Sequence, residues 1–240
     1  MISIIIPTLN EESVIEGTLS FLKTNLTIPH EVIISDGKST DATAGLARKY
    51  ADKVLVYSGT TRQTIAMGRN DGAAAASGEF LAFMDADCRM LDPNAFIARA
   101  LSHFEHNKET VALTVSVRVL PEYETLADKI VFGGLNRYLH FMNNVLKQGI
   151  AAGEFQLIRR SAFDEVGGYN PALVASEDVD MFFRLSKVGK IVFDHKLFIY
   201  HTGRRGHAVG WPKLISIWMI NTVSMMFRGK AHSKEWTVIR

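Results

Sequence analysis

The stretch Phe80-Leu-Ala-Phe-Met-Asp-Ala-Asp-Cys88 is apolar up to Met84 and then presents two carboxylates, Asp85 and Asp87. A strand covered on both faces of a sheet needs such an apolar run, and a core rejects unpaired carboxylates. Asp85 and Asp87 are therefore expected where the strand leaves the core. At a spacing of two in extended chain they point the same way. Two converging acids at the carboxyl end of a strand suit a hard divalent cation that also holds phosphate oxygens.

Outward from this stretch, strand and helix signals alternate. Ile2–Ile6, Glu31–Ser35, Val54–Val56, Glu79–Met84 and Val111–Val119 read as strands. Between them lie helical patterns at Glu11–Leu26, Asp41–Tyr50, Thr64–Ala76 and Asn94–His106. The first carries Val14, Ile15, Leu19 and Leu22 at helical spacing, and the last is opened by Asp92-Pro93. The alternation predicts a mostly parallel sheet covered by helices on both faces. Beyond it, an amphipathic helix is expected over Leu126–Leu146, interrupted at Gly133-Gly134. A short strand at Phe155–Ile158 follows, then a helix from Ser161, a Gly167-Gly168 turn and a helix over Ser176–Val188. Two short strands, Lys190–Phe193 and Leu197–Tyr200, close the pattern. No repeat or linker intervenes, so the sheet is expected to continue without a break.

A chain of 240 residues with 47% hydrophobic content suits one large domain, or one domain with an appendage. The net charge of +2, with no basic run, gives no footprint for nucleic acid. Cys88 is the single cysteine; it excludes an internal disulfide, fits a reducing compartment and is expected to pack as a small buried residue. Ile2–Ile6 has no basic flank and runs straight into Pro7, so it reads as a strand and not a signal peptide. No apolar stretch is long enough to span a bilayer.

Four loops carry polar residues. Pro7-Thr8-Leu9-Asn10-Glu11-Glu12 reads alone as a helix cap with first-turn acids. Ser35-Asp36-Gly37-Lys38-Ser39-Thr40-Asp41 reads alone as an Asp-Gly turn and a cap. Thr60-Thr61-Arg62, with Arg69-Asn70, reads alone as solvated surface, and Asp85-Ala86-Asp87 as an exposed acidic pair. Their common position changes the balance. All four leave predicted parallel strands at the carboxyl edge, where open α/β sheets bind ligands. Asp36 is then placed to accept from a base or ribose, and Lys38 to meet a diphosphate.

The ordered set resembles family 2 glycosyltransferases of the GT-A fold. It comprises Ser3-Ile-Ile-Ile-Pro-Thr-Leu-Asn-Glu-Glu12, Ser35-Asp-Gly-Lys-Ser-Thr-Asp-Ala-Thr43 and Gly78-Glu-Phe-Leu-Ala-Phe-Met-Asp-Ala-Asp87. It continues through Arg159-Arg-Ser-Ala-Phe-Asp-Glu-Val-Gly-Gly-Tyr169 and Ser176-Glu-Asp-Val-Asp-Met-Phe-Phe-Arg-Leu185, covering about residues 1–203. The resemblance implies an α/β, Rossmann-like, mostly parallel sheet flanked by helices, with a C-terminal amphipathic extension. Residues 1–207 would be the catalytic domain, divided into a nucleotide half (1–119) and an acceptor half (120–207), and 208–240 the extension. It further implies that Asp36 meets the base, Asp85 the sugar moiety and Asp87 a manganese or magnesium ion on the diphosphate. Pro7, Thr8, Asn10, Glu11, Lys38, Arg62 and Ala86 would complete the donor site. Asp178 of the Glu177-Asp178 pair would be the general base of an inverting displacement, and His201 a further metal ligand, as in some members.

The residues support those roles chemically. A leaving diphosphate needs its charge neutralised, and an acceptor hydroxyl needs a carboxylate to take its proton. Ser176-Glu177-Asp178 alone is equally a helix cap with first-turn acids. His201 alone reads as structural, and an imidazole ligand favours manganese over magnesium.

Donor and acceptor are less defined. GDP-mannose is favoured and UDP-sugars remain compatible. Polyprenyl-phosphate mannosyltransferases usually carry an acidic pair before the glycine where this chain has Ser35-Asp36-Gly37, and Ala152-Gly153-Glu154-Phe155-Gln156 also departs from the commoner pattern. A lipid-linked or saccharide acceptor is expected, with Arg118, Arg204 and Arg205 placed for an acceptor phosphate. The Glu177-Asp178 pair favours a hydroxyl acceptor over a polyprenyl phosphate. The rival readings are a sugar-nucleotide nucleotidyltransferase and a non-catalytic sugar-nucleotide binding module.

The tail is basic. From Gly203 onward Arg204, Arg205, Lys213, Arg228, Lys230, Lys234 and Arg240 face one acid, Glu235. Within it, Lys213, Ser216, Asn221, Ser224 and Arg228 share a polar stripe on a helical wheel, with apolar residues around the remainder. Such a helix either docks on the protein's own core or lies on a membrane surface; basic flanks with Trp211, Trp218 and Phe227 favour the membrane, through residues 211–230. The expectation is a cytoplasmic protein, peripheral at the membrane face.

Overall fold

Alternate residues of strand β1 (Ile2–Thr8) point to opposite faces: Ile2, Ile4 and Ile6 join one hydrophobic core and Ile5 the other. Each fully buried side chain of this size contributes about 1.5–3 kcal/mol, so β1 is fixed mid-sheet. The structure is a computed structural model and describes residues 1–235 and 239. Arg240 and positions 236–238 of the expected extension lie outside those residues.

Among the described residues seven strands form one sheet in the order β3-β2-β1-β4-β6-β5-β7. They are β2 (His30–Asp36), β3 (Lys53–Val56), β4 (Phe80–Met84), β5 (Thr110–Val119), β6 (Phe155–Arg159) and β7 (Lys190–His201). The sheet is mostly parallel, as expected, and only β6 runs antiparallel, to both β4 and β5. That reversal brings the start of β6 to the edge where β4 ends.

Helices cover both faces. On one face lie α1 (Ile15–Asn25), α4 (Pro93–His106), α5 (Leu126–His140) and α9 (Trp211–Arg228), which supply Leu19, Phe96, Phe132 and Trp211 to the core. On the other lie α3 (Ile65–Ala75), α6 (Arg160–Glu165) and α7 (Glu177–Leu185), which supply Ala66, Phe163 and Phe182. The short α2 (Thr43–Ala47) and α8 (Arg204–Val209) complete the set. Helix α3 presses hard on β1: a Cβ at Gly72 would stand 2.4 Å from Ile5 Cγ2. Glycine permits that approach, which seats α3 closely on the face of β1.

Several expectations need correction. The two short strands at 190–193 and 197–200 are one strand, β7, with a bulge between Asp194 and Phe198. Asp194 causes it: its carboxylate accepts from Lys196 N at 2.9 Å and from Arg99 Nε at 2.6 Å, which folds the chain locally. Gly133-Gly134 does not interrupt α5; the irregularity comes later, as a π-helical turn over Phe141–Val145. The first helix runs from Ile15 and not Glu11; Glu11 O accepts from Ile15 N–H at 2.9 Å, while its own N–H is tied to Thr43 Oγ1 at 2.7 Å. The polar stripe of α9 is split: Lys213, Ser216 and Arg228 are exposed. Asn221 is buried and bonded to Ser233, while Met219, Ile220, Val223, Met226 and Phe227 are exposed.

Candidate active site

The carboxyl ends of β1, β2 and β4 lie side by side, and the loops that leave them interlock. Thr8 Oγ1 donates to Asp36 Oδ1 at 3.0 Å, Ser39 N–H to Asp36 Oδ2 at 2.8 Å, and Asn10 N–H to Ser39 Oγ at 2.7 Å. Asp36 is thus buried as the clamp between the first two loops. Asn10 and Lys38 hold left-handed backbone, φ 55° and 70°, as does Ser176 at the mouth of α7, φ 61°. Such positions cost on the order of 1–3 kcal/mol each and persist where surrounding structure enforces them. Pro7 is part of β1, and Lys38 is exposed at the second loop.

Asp85 and Asp87 leave β4 as expected, separated by Ala86, whose carbonyl accepts from Thr18 Oγ1 at 2.7 Å. Asp87 accepts from Thr202 Oγ1 at 2.5 Å. Asp85 N–H reaches Glu154 O at 3.4 Å, which ties β4 to the start of β6. Burial pushes the Asp85 carboxyl up to about 7, against the opposing charge of Arg69. Its side chain keeps 41% of its exposure, so water softens that rise.

Glu177 and Asp178 open α7, which Arg69 ties to the end of β4. Glu177 is buried against Arg69, Oε1 to Nη1 at 2.9 Å. Asp178 accepts from Val179 N–H at 2.8 Å. Burial first, and the Glu177 charge second, push the Asp178 carboxyl up to about 8. A Cβ at Gly153 would stand 3.6 Å from Asp178 Oδ2 and 3.4 Å from Arg69 Nη2, so glycine keeps that wall clear.

Arg69 is the group that joins these parts. It is buried, donates to Gly153 O at 3.0 Å, stands 3.5 Å from Asp85 Oδ1 and lies over the Tyr169 ring at 5.3 Å. The sequence places it with Arg62 and Asn70 among the ligand loops, with no role of its own, and solvated surface as the alternative. Its spacing carried the signal: Ala66, Arg69, Gly72 and Ala73 are all buried in α3 and share one helical face. Glu154 and Thr202 were also missed as neighbours of the acidic pair. Burial raises the Glu154 carboxyl to about 6.

The arginines expected to hold an acceptor phosphate separate. Arg204 enters the acidic cluster, Nη1 to Glu11 Oε2 at 2.8 Å and Nε to Asp87 Oδ2 at 3.3 Å. Arg118 pairs with Glu124 at 3.5 Å and covers the Phe198 ring. Arg205 lies next to Arg204 in α8. Arg62, expected at the donor, pairs with Glu235 of the tail at 3.0 Å.

His201 ends β7 near the same acids. Its Nε2 is shielded from solvent and has no hydrogen-bond partner, and burial holds the imidazole below its usual range, hence neutral. Gly203 N–H meets Nδ1 only at 3.3 Å. A cation at Nε2 would move the ring proton to Nδ1 and forfeit that long contact alone. Among the described residues no three His, Cys, Asp or Glu side chains are grouped to hold a metal. Asp87 Oδ2 already meets Thr202 Oγ1 and Arg204 Nε, so a divalent ion here would draw on Asp87, on the open His201 Nε2 and on phosphate oxygens of a bound diphosphate.

The inner face of α9 reaches the same region, with Thr222 Oγ1 3.3 Å from Ser176 Oγ. Among the described residues no helix is long and apolar enough to cross a membrane.

Comparison with known proteins agrees with this geometry. The model of "Glycosyl transferase family 2" matches residues 3–167. Succinoglycan biosynthesis protein ExoA of Rhizobium meliloti is 29% identical over 193 residues, 78% of this chain and 58% of that protein. Glycosyltransferase AglE of Haloferax volcanii is 25% identical, over 93% of this chain and 76% of its own length. This chain thus spans under two thirds of the length of ExoA. Among solved structures, mannosyltransferase PcManGT of Pyrobaculum calidifontis, in complex with GDP-Man and Mn2+, superposes with a TM-score of 0.74 at 19% identity. That match covers 96% of this chain and 65% of the other. S. aureus TarS 1-349 with UDP-GlcNAc gives 0.61 at 18% identity, over 83% of this chain and 57% of the other. Identities this low show the fold alone, and the fold is GT-A.

Proposed function

The chain belongs to glycosyl transferase family 2, and from that premise we propose that it is an inverting, metal-dependent hexosyltransferase acting on a nucleotide-sugar donor. The observation that carries this reading is the link that Arg69 makes between Asp85, at the end of β4 beside Asp87, and Glu177, next to Asp178 at the start of α7. The β4 end of that link is suited to a sugar diphosphate and the α7 end to the attacking group.

In this reading Asp36, with Pro7, Thr8, Asn10, Glu11, Lys38 and Arg62, forms the nucleotide pocket, and Asp85 with Ala86 orients the sugar. Asp87 and His201 hold a divalent cation, which when bound neutralises charge building on the leaving diphosphate. Asp178 takes the proton of the acceptor hydroxyl as it attacks opposite the leaving group. Its raised affinity for a proton suits a base working near neutral pH. Glu177 does not compete for that proton transfer, because its Oε1 is engaged by Arg69.

The donor is GDP-mannose and the acceptor a lipid-linked saccharide hydroxyl. Neighbours of the same fold hold GDP-Man with Mn2+ in one case and UDP-GlcNAc in another, so both donor classes are put to the test. Residues 1–119 carry the nucleotide loops, 120–207 the acceptor side, and 211–230 rest on a membrane surface. The outward apolar face of α9, with Phe227 85% exposed, supports that placement, while its inner face touches Ser176 beside the base. Arg118, which would have to exchange Glu124 for the ligand, and Arg205, beside Arg204 in α8, are assigned to the acceptor phosphate.

A panel of GDP- and UDP-sugars with manganese tests the proposal by release of nucleoside diphosphate. Release from one donor, stopped by a chelator and by Asp87→Ala, is the expected result. Consumption of a nucleoside triphosphate with a sugar phosphate instead would select the nucleotidyltransferase reading, and tight donor binding without release the binding module.

A further inference from the structure

We infer that α5 and the π-helical turn after it form a second lipid-facing surface beside α9, whose partner is an anionic membrane surface. The inference rests on the membrane-surface reading of α9 and extends it to a helix outside 211–230.

The roll of α5 about its axis is fixed from within. Asp128 is 0% exposed, caps the helix with Thr125, and accepts from Trp211 Nε1 at 2.8 Å and His207 Nε2 at 2.9 Å. Phe132 and Leu139 complete the buried face, and the Phe132 ring meets the Trp211 ring edge-on at 5.3 Å. Trp211 opens α9, so the two helices are bolted together at that end. The opposite face of α5 then carries Leu126 and Ile130, 74% and 67% exposed, and Tyr138; Phe141 and Val145 continue it along the turn. A helix face turned to water is normally polar.

Charge selects the partner. Lys129, Arg137 and Lys147 flank the apolar residues, and the single acid between 126 and 147 is the buried Asp128. Glu124, just before the helix, is tied to Arg118 and Lys129. Helix α9 contains Lys213 and Arg228 and no acid. Exposed apolar residues bounded by cations, with no exposed acid among them, complement anionic lipid headgroups. Protein interfaces are instead depleted in lysine.

Co-sedimentation with phosphatidylcholine vesicles, with and without phosphatidylglycerol, tests this on three forms of the chain. These are the wild type, Ile130→Glu with Tyr138→Glu on α5, and Met226→Glu with Phe227→Glu on α9. The wild type is expected to bind the anionic vesicles and to be released by salt, and each double variant to bind about tenfold more weakly. Unchanged nucleotide affinity shows that the variants are folded, and Ile130→Ser replaces the α5 pair if they are not. Wild-type binding by the α5 variant, with binding lost in the α9 variant, overturns the inference and leaves the α9 reading standing. No binding by the wild type removes both. A wild-type dimer in solution that the α5 substitutions dissociate overturns the inference in favour of a second copy of the chain.

Discussion

Arg69 of α3 and Glu177 of α7 form a buried ion pair, Nη1 to Oε1 at 2.9 Å, and the same guanidinium stands 3.5 Å from Asp85. One side chain thereby links Asp85, proposed for the donor side, to Glu177 of the pair proposed for catalysis. Removing one partner of a buried pair leaves the other charge uncompensated, at a cost of about 3–5 kcal/mol. Arg69→Met is expected to lower unfolding free energy in urea by that amount. Arg69→Lys keeps the charge but cannot span Glu177, Gly153 and Asp85 together. It should retain most of the stability yet lose about tenfold or more in turnover. A lysine variant with full turnover would contradict the positioning role.

Arg204 lies between Glu11 and Asp87, at 2.8 and 3.3 Å. A cation held by Asp87 must compete with that guanidinium. Arg204→Ala is therefore expected to tighten manganese binding in the absence of nucleotide, by about tenfold if the pairing contributes roughly 1.4 kcal/mol. Titration calorimetry with manganese alone reads this directly. Unchanged or weaker manganese affinity would show that Arg204 does not oppose the ion.

Asp178 predicts the pH dependence. Burial, then the Glu177 charge, raise its carboxyl to about 8 in the folded protein. A general base must be ionised, so turnover on a hydroxyl acceptor should rise with pH through about 8. The stability effect has the opposite sign. The folded state holds this proton more tightly than the unfolded chain, so the contribution is full below about pH 4 and is lost as pH rises toward 8. Asp178→Asn should then melt higher than wild type at pH 8, by about 2–4 °C for a relief of roughly 1 kcal/mol. It should also lose about 10²–10⁴ in turnover. Full turnover by Asp178→Asn would favour an acceptor that is already anionic.

What the sequence made legible follows from what local pattern encodes. The apolar run before Asp85, and the Ile2–Ile6 alternation with it, specified buried strands and the edge at which their loops emerge. The antiparallel sense of β6 has no local signature, so the arrival of Gly153 and Glu154 beside Asp85 could not be read. Asp194 set the bulge in β7 through Arg99, a partner 95 residues away. Arg204 showed its basic character, but its choice of Glu11 and Asp87 over an acceptor depends on the turn at Gly203, φ 72°. The burial of Asn221 within the polar stripe of α9 could not be read, because its amide is satisfied by Ser233, 12 residues further on.

Binding of GDP and UDP measured by calorimetry, with and without manganese, on the wild type and Asp87→Ala tests the central claim most directly. The account predicts that one nucleotide binds, that omission of manganese weakens it strongly, and that Asp87→Ala abolishes the manganese effect in a protein with an unchanged melting profile. Failure of both nucleotides to bind the folded wild type, or manganese-dependent binding that survives Asp87→Ala, would contradict it.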